Sequence, residues 1–183
     1  DTSDRKVDVV IAPKITEEAR SVLRRTKGKC RMIENPALAS FGLKSLDRTP
    51  RFRHLAGPVW LKQDPPLFVF DRAHPEIRIE CGEVRERDWP TIFFGCALVS
   101  RSGSNQFAIF NNCTAEANGV GQQSRVDAVL LAVRRAEDRG RRSALKGSIG
   151  VHDAFCFNQD AMEAAAAGGV RLIFAPRGSV HDA

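Results

Sequence analysis

The residues best suited to chemistry stand in four polar or glycine-rich corners. These are Ser104-Asn105, Gly119 through Arg125, Asp153-Ala154-Phe155 through Asp160, and Pro176 through Asp182. Glycines at Gly119 and Gly121 let a backbone approach a ligand, and the amide groups of a helix starting near Gln122 attract an anion. Arg125 adds a guanidinium that can grip two oxygens at once. A phosphate or a carboxylate suits that corner. The plainer alternative has Gly119 and Gly121 making a tight turn while Arg125 pairs with a neighbouring carboxylate. Spacing alone leaves both open. Metal chemistry has little support, because Cys30, Cys81, Cys96, Cys113 and Cys156 are far apart with no C-x-x-C, and His54, His74, His152 and His181 are equally dispersed. No zinc site and no disulfide framework are expected.

The corners must be held by alternating strands and helices. Residues 7–13, VDVVIAP, have the form of a buried strand closed by proline. Thr16 is placed to cap a following helix with Glu17 and Glu18 in its first turn and Ala19, Val22 and Leu23 as its apolar stripe. Cys30 to Ile33 reads as a second strand, so the chain opens β-α-β with a parallel pair. Residues 34–57 read as connection, and the runs Gly57 to Lys62 and Leu67 to Asp71 flank a hairpin turn at Asp64-Pro65-Pro66. Arg85 to Ser100 has helical spacing with Asp88 and Pro90 at its start. A strand is predicted at residues 107–111, then a small turn, NGVG, and a helix from Gln122 to Arg139 with Val126, Val129, Leu130, Val133 and Ala136 on one face. A strand at Ser148 to Val151, a helix at Asp160 to Ala167 and a strand at residues 170–175 complete an α/β layered sheet with flanking helices.

With 183 residues, 43% hydrophobic and 27% charged, the chain has the composition of one globular domain rather than of a disordered or fibrous protein. No apolar run approaches the roughly 18–20 residues that cross a bilayer, and the opening DTSDRK lacks a signal-peptide pattern. A soluble, cytoplasmic protein is expected. The charge of +6 fits an anionic ligand or nucleic acid. Much of the excess sits in Arg134, Arg135, Arg139, Arg141 and Arg142, where a solvated helix end explains it and no nucleic-acid signature accompanies it. Neither nucleic acid nor membrane is expected as a partner.

Five segments in order carry a resemblance: SNQFAIF, GVGQQSRVDAVLLA, DAFCFNQD, AAAAGGVRLIFAP and RGSVHD. Together they resemble the C-terminal part of the aminoimidazole carboxamide ribonucleotide (AICAR) transformylase domain of the bifunctional purine-biosynthesis family. VVIAPKITEEARSVLRR, FGLKSL and GPVWLKQD extend the likeness over nearly the whole chain. The resemblance implies a cytidine-deaminase-like fold without zinc. It also implies formyl transfer from 10-formyltetrahydrofolate, the co-substrate, to the amine of AICAR or a related amine. By motif position, Asn105 contacts the reacting region, Arg125 and Val126 line the folate site, Phe155 packs on a ring, and Asp160 accepts from the amino-pyrimidine edge of a pterin. Pro176 and Ser179 complete that wall.

The departures are as specific as the matches. The family's DAFFPFRD reads Asp153 to Asp160 as DAFCFNQD, Asn111 replaces a usual lysine, and His152 stands where the family usually has serine. The resemblance places the family's catalytic Lys-His pair in a first transformylase subdomain, which residues 1–183 are not expected to include, nor the cyclohydrolase domain. His152 is therefore the candidate replacement base, with an idle histidine as the alternative. The expectation is a single domain over residues 1–183 equivalent to the second subdomain, working as a homodimer or with a chain carrying the missing half. The rival readings are a non-catalytic binding or structural subunit and a diverged formyltransferase of specialised metabolism.

Overall fold

The computed structural model describes residues 7–23, 30–65, 69–155 and 159–178. The chain divides into two compact units, residues 1–67 and 68–183.

The first unit opens with β1 (Val9–Ala12), α1 (Glu17–Leu23) and β2 (Arg31–Glu34), and β1 pairs parallel with β2, Val9 opposite Arg31. The Ala19 amide donates to Thr16 Oγ1 at 3.2 Å, the cap its sequence promised. Glu34 closes the unit by accepting from the Ile15 amide at 3.0 Å and from Arg20 at 2.7 Å. The expected stripe on α1 is not buried, since Val22 is 70% exposed. Among the described residues of this unit only Ile15 and Cys30 are buried.

A hairpin is present, but one strand earlier than expected. β3 (Arg51–His54), inside the stretch read as connection, pairs antiparallel with β4 (Trp60–Gln63), which overlaps the expected run Gly57 to Lys62. The tip is set by Gly57, whose φ of +56° suits glycine, and by His54, whose ring nitrogen lies 2.8 Å from the Gly57 carbonyl and whose ring lies 4.8 Å from Trp60. Proline cannot donate to a ladder, and β4 ends at Gln63, before Pro65. Residues 66–68 lie outside the described residues, and 69–71 form no strand.

The second unit is a four-stranded sheet in the order β6-β5-β7-β8. β5 (Phe107–Asn111) runs antiparallel to β6 (Thr114–Gly119) and to β7 (Ser148–His152), and β8 (Val170–Phe174) lies parallel to β7. Phe107 and Ile109 pack on one face with Ala128, Val129, Ala132 and Ala136 of α3 (Arg125–Asp138) and Ala161 and Ala165 of α4 (Gln159–Gly168). Ala108 and Phe110 pack on the other with Ile92 and Val99 of α2 (Trp89–Val99). Burial on both faces explains why β5 is apolar without alternation. On α3 the small alanines take the sheet-facing stripe, leaving Leu130 52% exposed instead of buried as its spacing suggested.

β6 was not anticipated, because Thr114 to Gly119 has a composition poor in strand formers. Its pairing is enforced by a two-residue turn in which Asn112 and Cys113 have φ of +46° and +58°. Cys113 carries the left-handed conformation without being glycine, although its amide is satisfied by Thr91 Oγ1 at 3.1 Å. Cys113→Gly keeps that amide bond and relieves the backbone, so it is expected to stabilise the protein by roughly 0.5–1 kcal/mol. Urea unfolding reads the change directly.

Four of the five clustered arginines are engaged on this framework. Arg141 Nε lies 2.6 Å from the buried Glu116 carboxylate on β6. Arg135 donates to the Asn118 carbonyl at 2.8 Å, Arg142 pairs with Glu137 at 2.6 Å, and Arg134 with Asp138 at 2.8 Å. At the other end of the sheet, buried Asp88 accepts from the Arg85 amide at 2.9 Å and from Arg171 of β8 at 2.7 Å. Burial opposes ionisation of Asp88, but these donors outweigh it and hold the carboxyl below the ordinary range.

Candidate functional site

Between the start of β5 and the first turns of α3 and α4 lies a cleft of about 240 Å³, lined by Asn105, Gln123, Ser124, Arg125, Val126, Asp160 and Ala161. Four residues singled out from sequence, Asn105, Arg125, Val126 and Asp160, thus meet in one hollow. Gln123, Ser124 and Ala161 had not been assigned to the site, although the first two belong to the same GQQSR corner.

Local rules place each side chain. α3 starts at Arg125 rather than Gln122 because Ser124 takes the cap, its Oγ accepting from the Asp127 amide at 3.1 Å. One amide of the first turn is therefore used internally instead of being offered to an anion. Gly121, with φ of +68°, makes the turn before it. Gly119 does not serve that turn; it ends β6, where α3 crosses so closely that a side chain would collide with the Ala128 carbonyl. The Asn105 backbone bonds Gln122 in both directions, at 3.4 and 3.2 Å. The Asn105 side-chain amide donates to the carbonyls of Gln122 at 3.0 Å and Gln123 at 3.2 Å. That engagement orients the remaining carboxamide oxygen as an acceptor.

Arg125 extends over the ring of Phe155, its guanidinium carbon 4.6 Å from the centroid. Phe155 thus supports the arginine, and one of its faces is already covered. Asp160 sits in the first turn of α4 with one carboxylate oxygen 2.7 Å from the Ala161 amide. The loop after β8 passes Phe155 at Gly178, where a built Cβ would lie 3.5 Å from the ring. Pro176 is exposed on that loop and is not among the cleft-lining residues. Ser179 lies outside the described residues, as do Cys156, Phe157, Asn158, His181 and Asp182.

His152 is not among the cleft-lining residues; it is 2% exposed, with its ring 5.4 Å from that of Phe107. Burial pushes its pKa down, Asp153 at 3.3 Å opposes this, and the charge of Arg125 adds to the lowering. The imidazole is therefore neutral at pH 7. The described cysteines 30, 81, 96 and 113 are free. Cys96 lines a smaller hollow on α2 with Phe70, Phe93, Ala97 and Ser100, and burial raises its thiol to about 11, too high for a nucleophile at neutral pH. Among the described residues no group of three or more His, Cys, Asp or Glu is placed to hold a metal ion, and no helix is long and apolar enough to cross a membrane.

The cleft can thus offer a ligand a planar cation, a carboxylate, an oriented carbonyl acceptor and the apolar side of Val126. Comparison with known proteins gives this arrangement a context. The chain is similar to the bifunctional purine biosynthesis protein PurH of Anoxybacillus flavithermus, 30% identical over 176 residues, which is 96% of this chain and 32% of that protein. The PurH proteins of Shouchella clausii and Staphylococcus aureus are 28% and 29% identical over 96% of the chain. The chain spans about a third of the length of these curated relatives. A family model described as AICARFT/IMPCHase bienzyme matches residues 2–135, which include Asn105, Arg125 and Val126 and end before Phe155 and Asp160. With more than half of its length matched, the chain belongs to the AICARFT/IMPCHase bienzyme family.

Proposed function

We propose that this chain is the folate-side part of an AICAR-transformylase-like enzyme of purine biosynthesis. The reading assigns residues 1–183 to one cytidine-deaminase-like subdomain, acting in the cytoplasm as a dimer or with a chain that brings the lysine and histidine of the family's other half. The observation that carries it is the meeting of Asn105, Arg125, Val126 and Asp160 in one cleft, in a chain of this family.

In the reaction, the amine of AICAR forms a bond to the formyl carbon of 10-formyltetrahydrofolate, the bond from that carbon to N10 breaks, and a proton passes from the amine to N10. This chain's residues contribute position and charge. Asp160 accepts from the amino-pyrimidine edge of the pterin, Val126 packs on the ring system, and Arg125, backed by Phe155, faces the carbonyl side. The Asn105 carbonyl accepts from an N–H at the reacting end. Pro176 and Ser179 belong to the wall formed by the loop after β8.

Titration calorimetry of the chain with a stable 10-formyltetrahydrofolate analogue, alone and with AICAR, tests the reading. Saturable binding that weakens roughly tenfold in Asp160→Ala is expected, the effect of losing one charged acceptor. Absence of binding at millimolar analogue sinks the folate assignment for the isolated chain. A second reading, a binding subunit without catalysis, is favoured by one feature. Among the described residues lining the cleft there is no imidazole or amine to act as a base. Transfer activity on mixing with a chain carrying the lysine and histidine separates the two.

A further inference from the structure

His152 is the buried titratable group for which the proposed chemistry has no use, and its surroundings give it one. Gly150 leaves room for the Phe107 ring over β7, and His152, opposite Phe107 in register, packs against that ring. Its Nδ1 lies 3.3 Å from Asp153 Oδ1. The same oxygen accepts the Gln106 amide at 3.0 Å, while the Asp153 amide donates to the Gln106 carbonyl at 3.3 Å. Gln106 is followed backwards by Asn105, which is tied to Gln122 and Gln123 at the mouth of α3. Hydrogen bonds and the Asn105-Gln106 peptide link therefore connect the imidazole to the acceptor of the cleft.

The proton count follows from the partners. A carboxylate only accepts, so the proton of the neutral ring sits on Nδ1, and Nε2 is a bare acceptor. Nε2 is buried and has no hydrogen-bond partner among the described residues. We propose that His152 is a positioning residue: by donating to Asp153 it fixes the carboxylate that holds Gln106, and through it the carboxamide of Asn105 in the cleft. The charged groups acting on it are Asp153 at its own strand end and Arg125 on α3, of opposite sign, while β5 presents the uncharged Phe107 ring. Protonation at Nε2 keeps the Nδ1–H bond to Asp153 but buries a cation whose new N–H has no acceptor among the described residues and which stands near the like charge of Arg125, and relief of that charge requires opening this corner. Because the ring's pKa is depressed, the arrangement is level above about pH 6.5 and loosens only below it.

Two readouts test this, one free of any ligand. Amide exchange followed by NMR on the full chain compares Gln106 with Ile109, a core amide of the adjoining strand β5. His152→Ala is expected to lower Gln106 protection at least tenfold with Ile109 unchanged. His152→Asn, whose carboxamide N–H replaces that of Nδ1, is expected to retain it within threefold. In wild type, Gln106 protection corrected for intrinsic exchange is level at neutral pH and falls on the acid side as the lowered imidazole is protonated, whereas His152→Asn stays level. Equal losses at Gln106 and Ile109, no loss in His152→Ala, or His152→Asn as damaged as alanine would overturn the proposal. If His152→Ala does not fold, the wild-type pH series against His152→Asn decides.

The second readout rests on the folate reading: affinity for the formyltetrahydrofolate analogue drops about tenfold in His152→Ala, the equivalent of roughly 1.4 kcal/mol, and is kept in His152→Asn. Binding kept in both variants counts against positioning. No binding by any form, with the exchange pattern as expected, removes the folate assignment and leaves the positioning role standing.

Discussion

Gly119→Ala is expected to cost about 3 kcal/mol or more, a large part of the stability of a domain this size. The added Cβ would overlap the Ala128 carbonyl oxygen and stand 2.8 Å from its carbon and 3.1 Å from its Cα. These are backbone atoms in the first turns of α3, and none can rotate away as a side-chain end would. Relief requires lifting α3 from β6, which opens the layer formed by Ala128, Val129, Ala132 and Ala136. The φ of Gly119 is not in the left-handed region, so the cost is collision rather than backbone preference. Gly103 supplies the control, because its Cβ would meet only Val120 at 3.9 Å. Gly103→Ala is expected to change stability by no more than about 0.5 kcal/mol. Urea unfolding of both variants checks the contrast, and similar midpoints would refute the close approach.

Such an approach explains which parts of the fold could be read beforehand. β5, β7, α4 and β8 were legible because their apolar runs and helical spacing coincide with burial. Helix α3 was legible as an element and in most of its facing: Val129 and Ala136 lie in the core with Val126 and Val133 packed against it, and Leu130 alone of the expected stripe is exposed. Spacing offered Val126, Val129, Leu130, Val133 and Ala136, and an approach as close as Gly119 to Ala128 adds the small Ala128 and Ala132 to the buried face. β6 was hidden because its pairing derives from the Asn112-Cys113 turn and from Glu116 finding Arg141, neither of which is a local preference of its residues. In the first unit the hairpin was legible in kind but displaced. His54, Gly57 and Trp60 close it through contacts between residues that no periodicity links.

The site was legible where motif order carried it. Asn105, Arg125, Val126 and Asp160 came from segments far apart in the chain, and the sheet brings them to one end of β5 and β7. What the motifs did not contain was the direction of each group. The donors of Asn105 are engaged by Gln122 and Gln123, and only coordinates show that its oxygen is what remains. Phe155, expected to pack on a ligand ring, instead carries the guanidinium of Arg125. His152 is a candidate replacement base from its place beside Asp153, but its ring is buried and is not among the cleft-lining residues.

Arg125→Ala is expected to weaken binding of the formyltetrahydrofolate analogue about 100-fold, near 2.7 kcal/mol. Two losses combine. The guanidinium is the cation among the cleft-lining residues, and hydrogen bonds from a charged donor are worth roughly 1.5–3 kcal/mol. The same group covers Phe155, and a desolvated cation–π contact contributes about 1–2 kcal/mol to keeping that wall in place. Arg125→Lys separates them, because it keeps the charge but loses the planar fork and its stacking. It is expected to recover less than tenfold of the lost affinity, and full recovery would show that a point charge suffices. A ligand-free check follows from His152, whose pKa Arg125 helps to lower. Removing the guanidinium is expected to raise the imidazole titration seen by NMR. An unchanged titration together with unchanged binding would mean that Arg125 faces neither the ligand nor the histidine.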